Sequence, residues 1–412
     1  MELLNVDLLD KAREKMLAVA KGLPLTTEAV SLPCALTRTL AKGVTAEEDI
    51  PAFTRSTVDG YAVRAADTAG AGENIPAFLA LAGRVEMGEE TPLALTAGQC
   101  AYVPTGAMLP QGADAVVMVE YCELFAPNNV AIYEAVSPGR NVIQHGDDAR
   151  QGETVLRAGT RIRAQEVGVL AATGVTQVPV YAPLRMALLS TGDELVSPEE
   201  TPLTGQVRDV NTAALAAQAK AAGYRVTSTR VICDEESSIE NAVRLAMAEN
   251  DIVVLSGGSS QGEKDATARI IGRVASMGVM THGLAVKPGK PTIVGYDDPS
   301  RTLFVGLPGH PVSAMMVFEV LLSWLWRQLT GPAESARDFL IEAILERNVP
   351  GSPGKETLQL VTLREDGSRY LAVPVRGQSG LITRLSMADG YIRIGHNQEG
   401  LTKGQPVRVH LL

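Results

Sequence analysis

Residues 251–265 read DIVVLSGGSSQGEKD, and the fold class is read outward from them. Ile252, Val253, Val254 and Leu255 form a short unbroken apolar run, the pattern of a strand buried on both faces. Ser256 to Gly262 follow without a bulky apolar residue. The adjacent Gly257 and Gly258 allow a sharp turn and let a ligand approach backbone amides closely. From Glu263 the sequence is helix-like, so its N-terminus faces the same space, where anions are favoured. Glu263 and Asp265 stand at that mouth, and a phosphate bound there would call for a bridging cation. A plain strand-to-helix turn accounts for the same residues, so this stretch alone leaves the chemistry open.

On either side, strands alternate with helices over roughly 145 residues. Met186–Leu189 reads as a strand ending in Thr191-Gly192-Asp193-Glu194. NTAALAAQAKAA is a helix capped by Asn211 and stopped by Gly223. A strand over residues 224–232 ends at Cys233-Asp234, and a helix capped by Ser237 or Ser238 follows. After the opening strand and its helix come strands at 283–286, 292–294 and 303–305, with Lys287-Pro-Gly-Lys290-Pro and Leu307-Pro308-Gly309-His310-Pro311-Val-Ser313 between and after them. Such alternation predicts a doubly wound, mostly parallel sheet. Ligands bind such sheets outside the carboxyl ends of their strands. Here those ends carry TGDE, CDEE, SGGSSQG, KPGKP and LPGHP. Five chemically rich loops in one domain favour a site over bland connections.

The flanks differ in texture. Residues 1 to about 45 carry a helical apolar period in Leu3, Leu4, Leu8, Leu9, Ala12 and Met16. Short apolar runs between Gly, Pro and Asn over 50–142 predict a small β-rich domain, entered through a polar cluster that contains Asp59. Asp59 before Gly60 also suits a structural turn. A second acidic turn, Gly146-Asp147-Asp148, precedes a helix at 164–173 that would pack back on the first helix. The tail reads as short strands between Gly-rich turns, a small barrel or sandwich. The expected units are thus 1–45 with 146–180, 46–145, 181–330 and 331–412.

Composition narrows the function. The chain has 412 residues, 45% hydrophobic and 20% charged, ordinary values for a folded protein. A net charge of −10 and 4% aromatic content disfavour a nucleic-acid binder. The four cysteines, at 34, 100, 122 and 233, show no CxxC spacing, so zinc and disulfide frameworks are not expected and a cytoplasmic location is. The N-terminus reads as a helix, not a signal peptide, and the apolar stretch 312–326 is too short and broken to span a membrane.

The candidate site holds the acids Glu194, Asp209, Asp234, Glu263 and Asp265, two lysines and many backbone amides. Several hard carboxylate oxygens suit Mg²⁺. Lys287 and Lys290 on a Pro-Gly turn suit a phosphate or oxyanion, though a solvated turn would look the same. The chemistry this implies is metal-assisted attack on a phosphate-bearing substrate. His282 and His310 stand as turn residues or ligand contacts.

Six motifs then run in order along nearly the whole chain: STVDGYAV at 56–63, PTGAMLPQGADAVVM at 104–118, STGDEL at 190–195, GGSSQGEKD at 257–265, KPGKP at 287–291 and LPGHPVS at 307–313. As a set they resemble the molybdopterin molybdenumtransferase (MoeA-type) family, to which the C-terminal domain of gephyrin is related. The resemblance implies an elongated four-domain homodimer, with the 181–330 unit binding molybdopterin and the active site in a cleft shared with the partner subunit. It implies Mg²⁺-dependent insertion of molybdate into adenylylated molybdopterin with release of AMP, and a molybdopterin adenylyltransferase as a candidate supplier. Carried over by motif, Glu194 and Asp265 hold the magnesium, and Asp59, Asp148 and Asp234 join them as acids needed for activity. Substrate contacts fall to Thr105, Thr191, Gly192, Asp193, Asp209, Asn211, Gly257, Gly258, Ser259, Ser260, Lys287, Lys290, Pro308, Gly309, Pro311 and Ser313.

The chain departs from the family pattern at Ser259-Ser260-Gln261, commonly Val-Ser-Val, at Ile143 for arginine, at His310 for asparagine and at Gly283 for a further lysine. Two other readings compete. A nucleotide pyrophosphatase of the competence-damage type would share the α/β unit, but STVDGYAV and the β-tail lie outside that unit. A non-catalytic pterin-binding scaffold would tolerate loss of Asp59, Asp148, Glu194 and Asp265.

Overall fold

The structure, a computed structural model, describes residues 6–257, 263–331, 340–375, 377 and 380–412, without the side chains of 263–265. The chain opens on α1 (Leu9–Ala20), whose Leu9, Ala12, Met16 and Ala20 are buried on one face. Helix does not continue to residue 45, however. Past Leu23-Pro24 the chain becomes extended, and β1 (Thr27–Ser31) pairs antiparallel with Gln177–Tyr181. Ala35, Leu40 and Val44 share one core with Leu156, Ile162, Val178, Val180 and Leu170 of α2 (Ala164–Ala172). Two stretches far apart in sequence thus build one small unit.

Between them lies a six-stranded, mostly antiparallel sheet. It contains β2 (Gly60–Val63), β3 (Ala77–Arg84), β4 (Gln99–Val103) and β5 (Ala115–Met118). Strand β2 lies between β4 and the edge strand β5, and Gly60 lets Val117 of β5 come close: a Cβ there would collide with Val117 O.

The α/β unit has a second six-stranded sheet. In it β6 (Arg185–Thr191) lies between two parallel strands, the edge strand β7 (Arg225–Ile232) and the interior strand β8 (Ile252–Gly257). At the other edge lies β9 (Val279–His282), paired antiparallel with β11 (Ile293–Asp297), which alone runs against the rest, and β12 (Thr302–Leu307) joins β11 to β8. Every residue of β8 through Ser256 is buried, because helices cover both faces. On one face α4 (Glu236–Glu249) and α5 (Glu263–Val274) pack Val243, Ile270 and Ile271 on Val253 and Leu255. On the other, α1, α3 (Asn211–Ala222) and α6 (Pro311–Phe318) pack on Met186, Leu188 and Val254. Helix α6 runs on through a π-helical turn, Glu319–Ser323, into Trp324–Thr330.

Two expected caps differ. Asn211 is the first helical residue of α3, and the Asp209 carboxylate accepts the Thr212 N–H at 3.1 Å in its place. Ser237 and Ser238 lie inside α4 and donate to the Glu235 carboxylate, at 2.7 and 2.9 Å. The strand expected at 283–286 is displaced: Val286–Lys287, β10, leaves the α/β sheet and pairs in parallel with the C-terminal unit.

That unit is a closed five-stranded barrel of β13 (Leu340–Leu345), β14 (Glu356–Asp366), β15 (Arg369–Pro374), β16 (Gly390–Ile394) and β17 (Pro406–Leu411). Leu358, Leu360 and Tyr391 of the barrel are buried in the same core as α1 and α6, so the barrel is seated firmly on the α/β unit.

Candidate functional site at the carboxyl ends of the strands

Strands β6 and β8 end side by side, with Thr191 paired to Gly257. A Cβ at Gly257 would collide with Thr191 Oγ1 and sit 2.5 Å from Thr191 O, so only glycine permits this approach. Beyond Thr191 the chain turns at Gly192, over which the exposed Glu194 carboxylate folds back: a Cβ on Gly192 would lie 2.7 Å from Glu194 Oε2. Asp193 Oδ1 accepts the Asp234 N–H at 3.1 Å. That bond ties the TGDE loop to the loop after β7.

Behind these acids lies a buried polar layer. Asp209, 4% exposed, accepts a hydrogen bond from Ser190 Oγ at 3.3 Å. Asn211 Nδ2 donates to Ser256 Oγ and to Gly309 O, both at 2.7 Å. A carbonyl oxygen only accepts, so this fixes the amide orientation. Among the described residues Asn211 Oδ1 then remains buried without a partner.

Next to this layer the KPGKP and LPGHP turns open into a cleft of about 950 Å³ between the α/β unit and the barrel. Lys287, Lys290, Pro308, Gly309 and Ser313 line one wall, with His310. Pro311 is the first residue of α6. The far wall comes from the barrel: Arg347, Lys355, Thr357 and Arg384. The sequence reading gave the tail no chemistry. The signal available was three basic residues beside Gly- and Pro-containing turns. Five cationic side chains line this cleft in a chain of net charge −10, which concentrates positive potential where anions would enter.

The remaining site candidates lie elsewhere. Asp59 Oδ1 accepts the Thr105 N–H at 2.7 Å and the Thr105 hydroxyl at 3.1 Å, so both belong to the β-rich unit. Asp148 is exposed at the edge of that unit, its N–H donating to Ile50 O at 2.9 Å. Among the described residues their hydrogen bonds stay within that region. Gly258, Ser259 and Ser260 lie outside the described residues, as does the side chain of Asp265. Among the described residues no three His, Cys, Asp or Glu side chains converge as a metal cage. Gly283 has φ +104°, so the lysine some family members carry there would be strained on this backbone.

Three known family descriptions match successive stretches of the chain. Residues 8–174 match the family description "MoeA N-terminal region (domain I and II)", 187–327 match "Probable molybdopterin binding domain" and 342–412 match "MoeA C-terminal region (domain IV)". The molybdopterin molybdenumtransferase of Bacillus subtilis is 31% identical over 396 residues, covering 94% of this chain and 90% of its own. That of Haemophilus influenzae is 31% identical over 351 residues, covering 85% and 84%. A crystal structure of the Pyrococcus horikoshii molybdopterin biosynthesis MoeA protein superimposes with a TM-score of 0.77 at 33% identity, over 99% of each chain.

Proposed function

Because the chain belongs to the MoeA family of molybdopterin molybdenumtransferases, we propose that it inserts molybdate into adenylylated molybdopterin with Mg²⁺-dependent release of AMP. The observation that carries this reading is the cationic cleft opening beside the carboxylate-bearing ends of β6 and β7. An oxyanion and a phosphate-bearing pterin need those two environments next to each other.

In this reading Lys287 and Lys290 attract the oxyanion as point charges, and Ser313 supplies a neutral donor at the start of α6. Asn211 Oδ1, fixed and without a partner among the described residues, accepts a hydrogen bond from an N–H of the substrate. Gly257 lets β8 end tight against Thr191 at the mouth of the site, and the Gly309 carbonyl fixes the Asn211 amide. Glu194, with Asp265 in the first turn of α5, would hold magnesium. The donor set fits that ion: Mg²⁺ takes one or two carboxylates together with substrate phosphates in preference to an all-protein cage. When bound, the ion neutralises charge on the phosphate being released. Asp193 and Asp234 hold the acidic rim in register.

Asp59, Thr105 and Asp148 sit on the β-rich unit, and a second copy of the chain would bring them to the cleft. We therefore propose a homodimer, working on small-molecule substrates in the cytoplasm and supplied by a molybdopterin adenylyltransferase. No helix among the described residues is long and apolar enough to cross a membrane.

The test is AMP release from adenylylated molybdopterin with Mg²⁺, in the absence and presence of molybdate, with tungstate in parallel. Molybdate-dependent AMP release and metal-loaded pterin are expected. Tight pterin binding without AMP release under any condition would replace this reading with that of a scaffold.

A further inference from the structure

Lys287 owes its position to the barrel. Strand β10 is two residues long and hydrogen-bonds to β14, with Val286 opposite Glu356 and Lys287 opposite Thr357. The Glu356 N–H donates to Ala285 O at 2.7 Å, just ahead of that pair. On its other side β14 pairs with β16, Thr357 facing Ile394. Glu356 also forms an ion pair with Arg393 of β16. Thr357 is thus held between two ladders, and side chains paired in a ladder share a face.

Thr357 is 7% exposed, it lines the cationic cleft with Lys287, and its Oγ1 is buried without a hydrogen-bond partner among the described residues. A buried hydroxyl left unpaired is costly, and a folded chain pairs nearly all such groups. No described residue pairs with this one, since the ladder bonds of β14 come from the backbone. Its surroundings specify what would pair with it. The neighbouring lysines attract an anion, and a threonine hydroxyl can donate to one.

We propose that Thr357 is an oxyanion-binding residue, its hydroxyl donating a hydrogen bond to the same anion that Lys287 and Lys290 attract. This rests on the oxyanion reading of the cleft. The barrel then supplies a direct ligand contact in addition to packing.

The experiment compares Thr357→Val and Thr357→Ser with Lys287→Ala. It measures the KM for molybdate and for adenylylated molybdopterin, calorimetric binding of molybdate alone, and thermal melting. For Thr357→Val the expected result is a rise of about tenfold in molybdate KM and Kd, an unchanged pterin KM, and a Tm equal to or above that of the parent. Thr357→Ser should restore molybdate binding. Valine keeps the shape and removes only the hydroxyl, so a lowered Tm would show a structural partner and overturn the proposal. Parent-like molybdate KM and Kd in Thr357→Val, with Lys287→Ala impaired, would overturn the proposal alone. If Lys287→Ala is also unimpaired, the oxyanion reading of the cleft falls with it.

Discussion

Asp59 and Thr105, 46 residues apart, form one unit: a single carboxylate oxygen of Asp59 accepts both the N–H and the hydroxyl of Thr105. The VDGYA and PTGA motifs are two halves of a clamp that positions an exposed acid on the β-rich unit.

Asp59→Asn separates charge from geometry. The amide keeps an acceptor for Thr105, so the fold should persist, while turnover should fall by at least about tenfold if the negative charge acts in catalysis. Parent-like turnover in a folded Asp59→Asn protein would leave the residue a turn-former only.

Gly257→Ala should fail for a steric reason. Its Cβ would meet Thr191 Oγ1 and the Thr191 carbonyl at the mouth of the site. Overpacking of this kind costs about 1–3 kcal/mol, and the displacement would fall on TGDE. Urea titration and AMP release should both report the loss. A stable, active alanine variant would show that β6 and β8 do not converge as described.

Much of this was legible before any coordinates, and what was not has identifiable causes. The strand cores at 252–255 and 303–305 are readable because burial on both faces leaves an unbroken apolar run, although the strands extend to 252–257 and 302–307. The closed tail was readable from Gly-punctuated short strands. Asn211 was misassigned because an N-terminal asparagine suits a cap, whereas its amide is drawn into Ser256 and Gly309, residues distant in sequence. Likewise, nothing local shows that Val286–Lys287 abandons its own sheet for β14. Thr357 carried no signal, because an orphaned hydroxyl exists only once packing has buried it.

Acid sensitivity should concentrate partly in α2. Glu166 receives hydrogen bonds from the Arg163 side chain and backbone in a capping box, which hold its carboxyl below the usual glutamate value. The depressed value means the stabilisation is complete above the unfolded pKa of about 4.3. It is lost as pH falls through the lower folded value. Glu166→Gln keeps an acceptor for the backbone but loses the charge-assisted bond to Arg163, so it should cost about 1 kcal/mol at pH 7 and flatten the acid limb of a pH–stability curve below pH 4.3. An unchanged acid limb would mean the pair is not formed in solution.

The cysteines provide a chemical map of the site. Burial pushes the thiols of Cys100 and Cys122 up to about 12, so both should be nearly inert at pH 8. Cys34 and Cys233 are exposed and should alkylate readily. Cys233 immediately precedes Asp234, whose N–H is bonded to Asp193 at the rim of the site, whereas Cys34 lies in the N-terminal unit. Peptide mass spectrometry after a timed iodoacetamide pulse should therefore show Cys233 slowed several-fold by AMP with Mg²⁺, and Cys34 unaffected. Equal slowing of both would indicate a global change in the protein. No slowing of Cys233, under conditions where AMP is shown calorimetrically to bind, would place the nucleotide away from the Asp193–Asp234 rim.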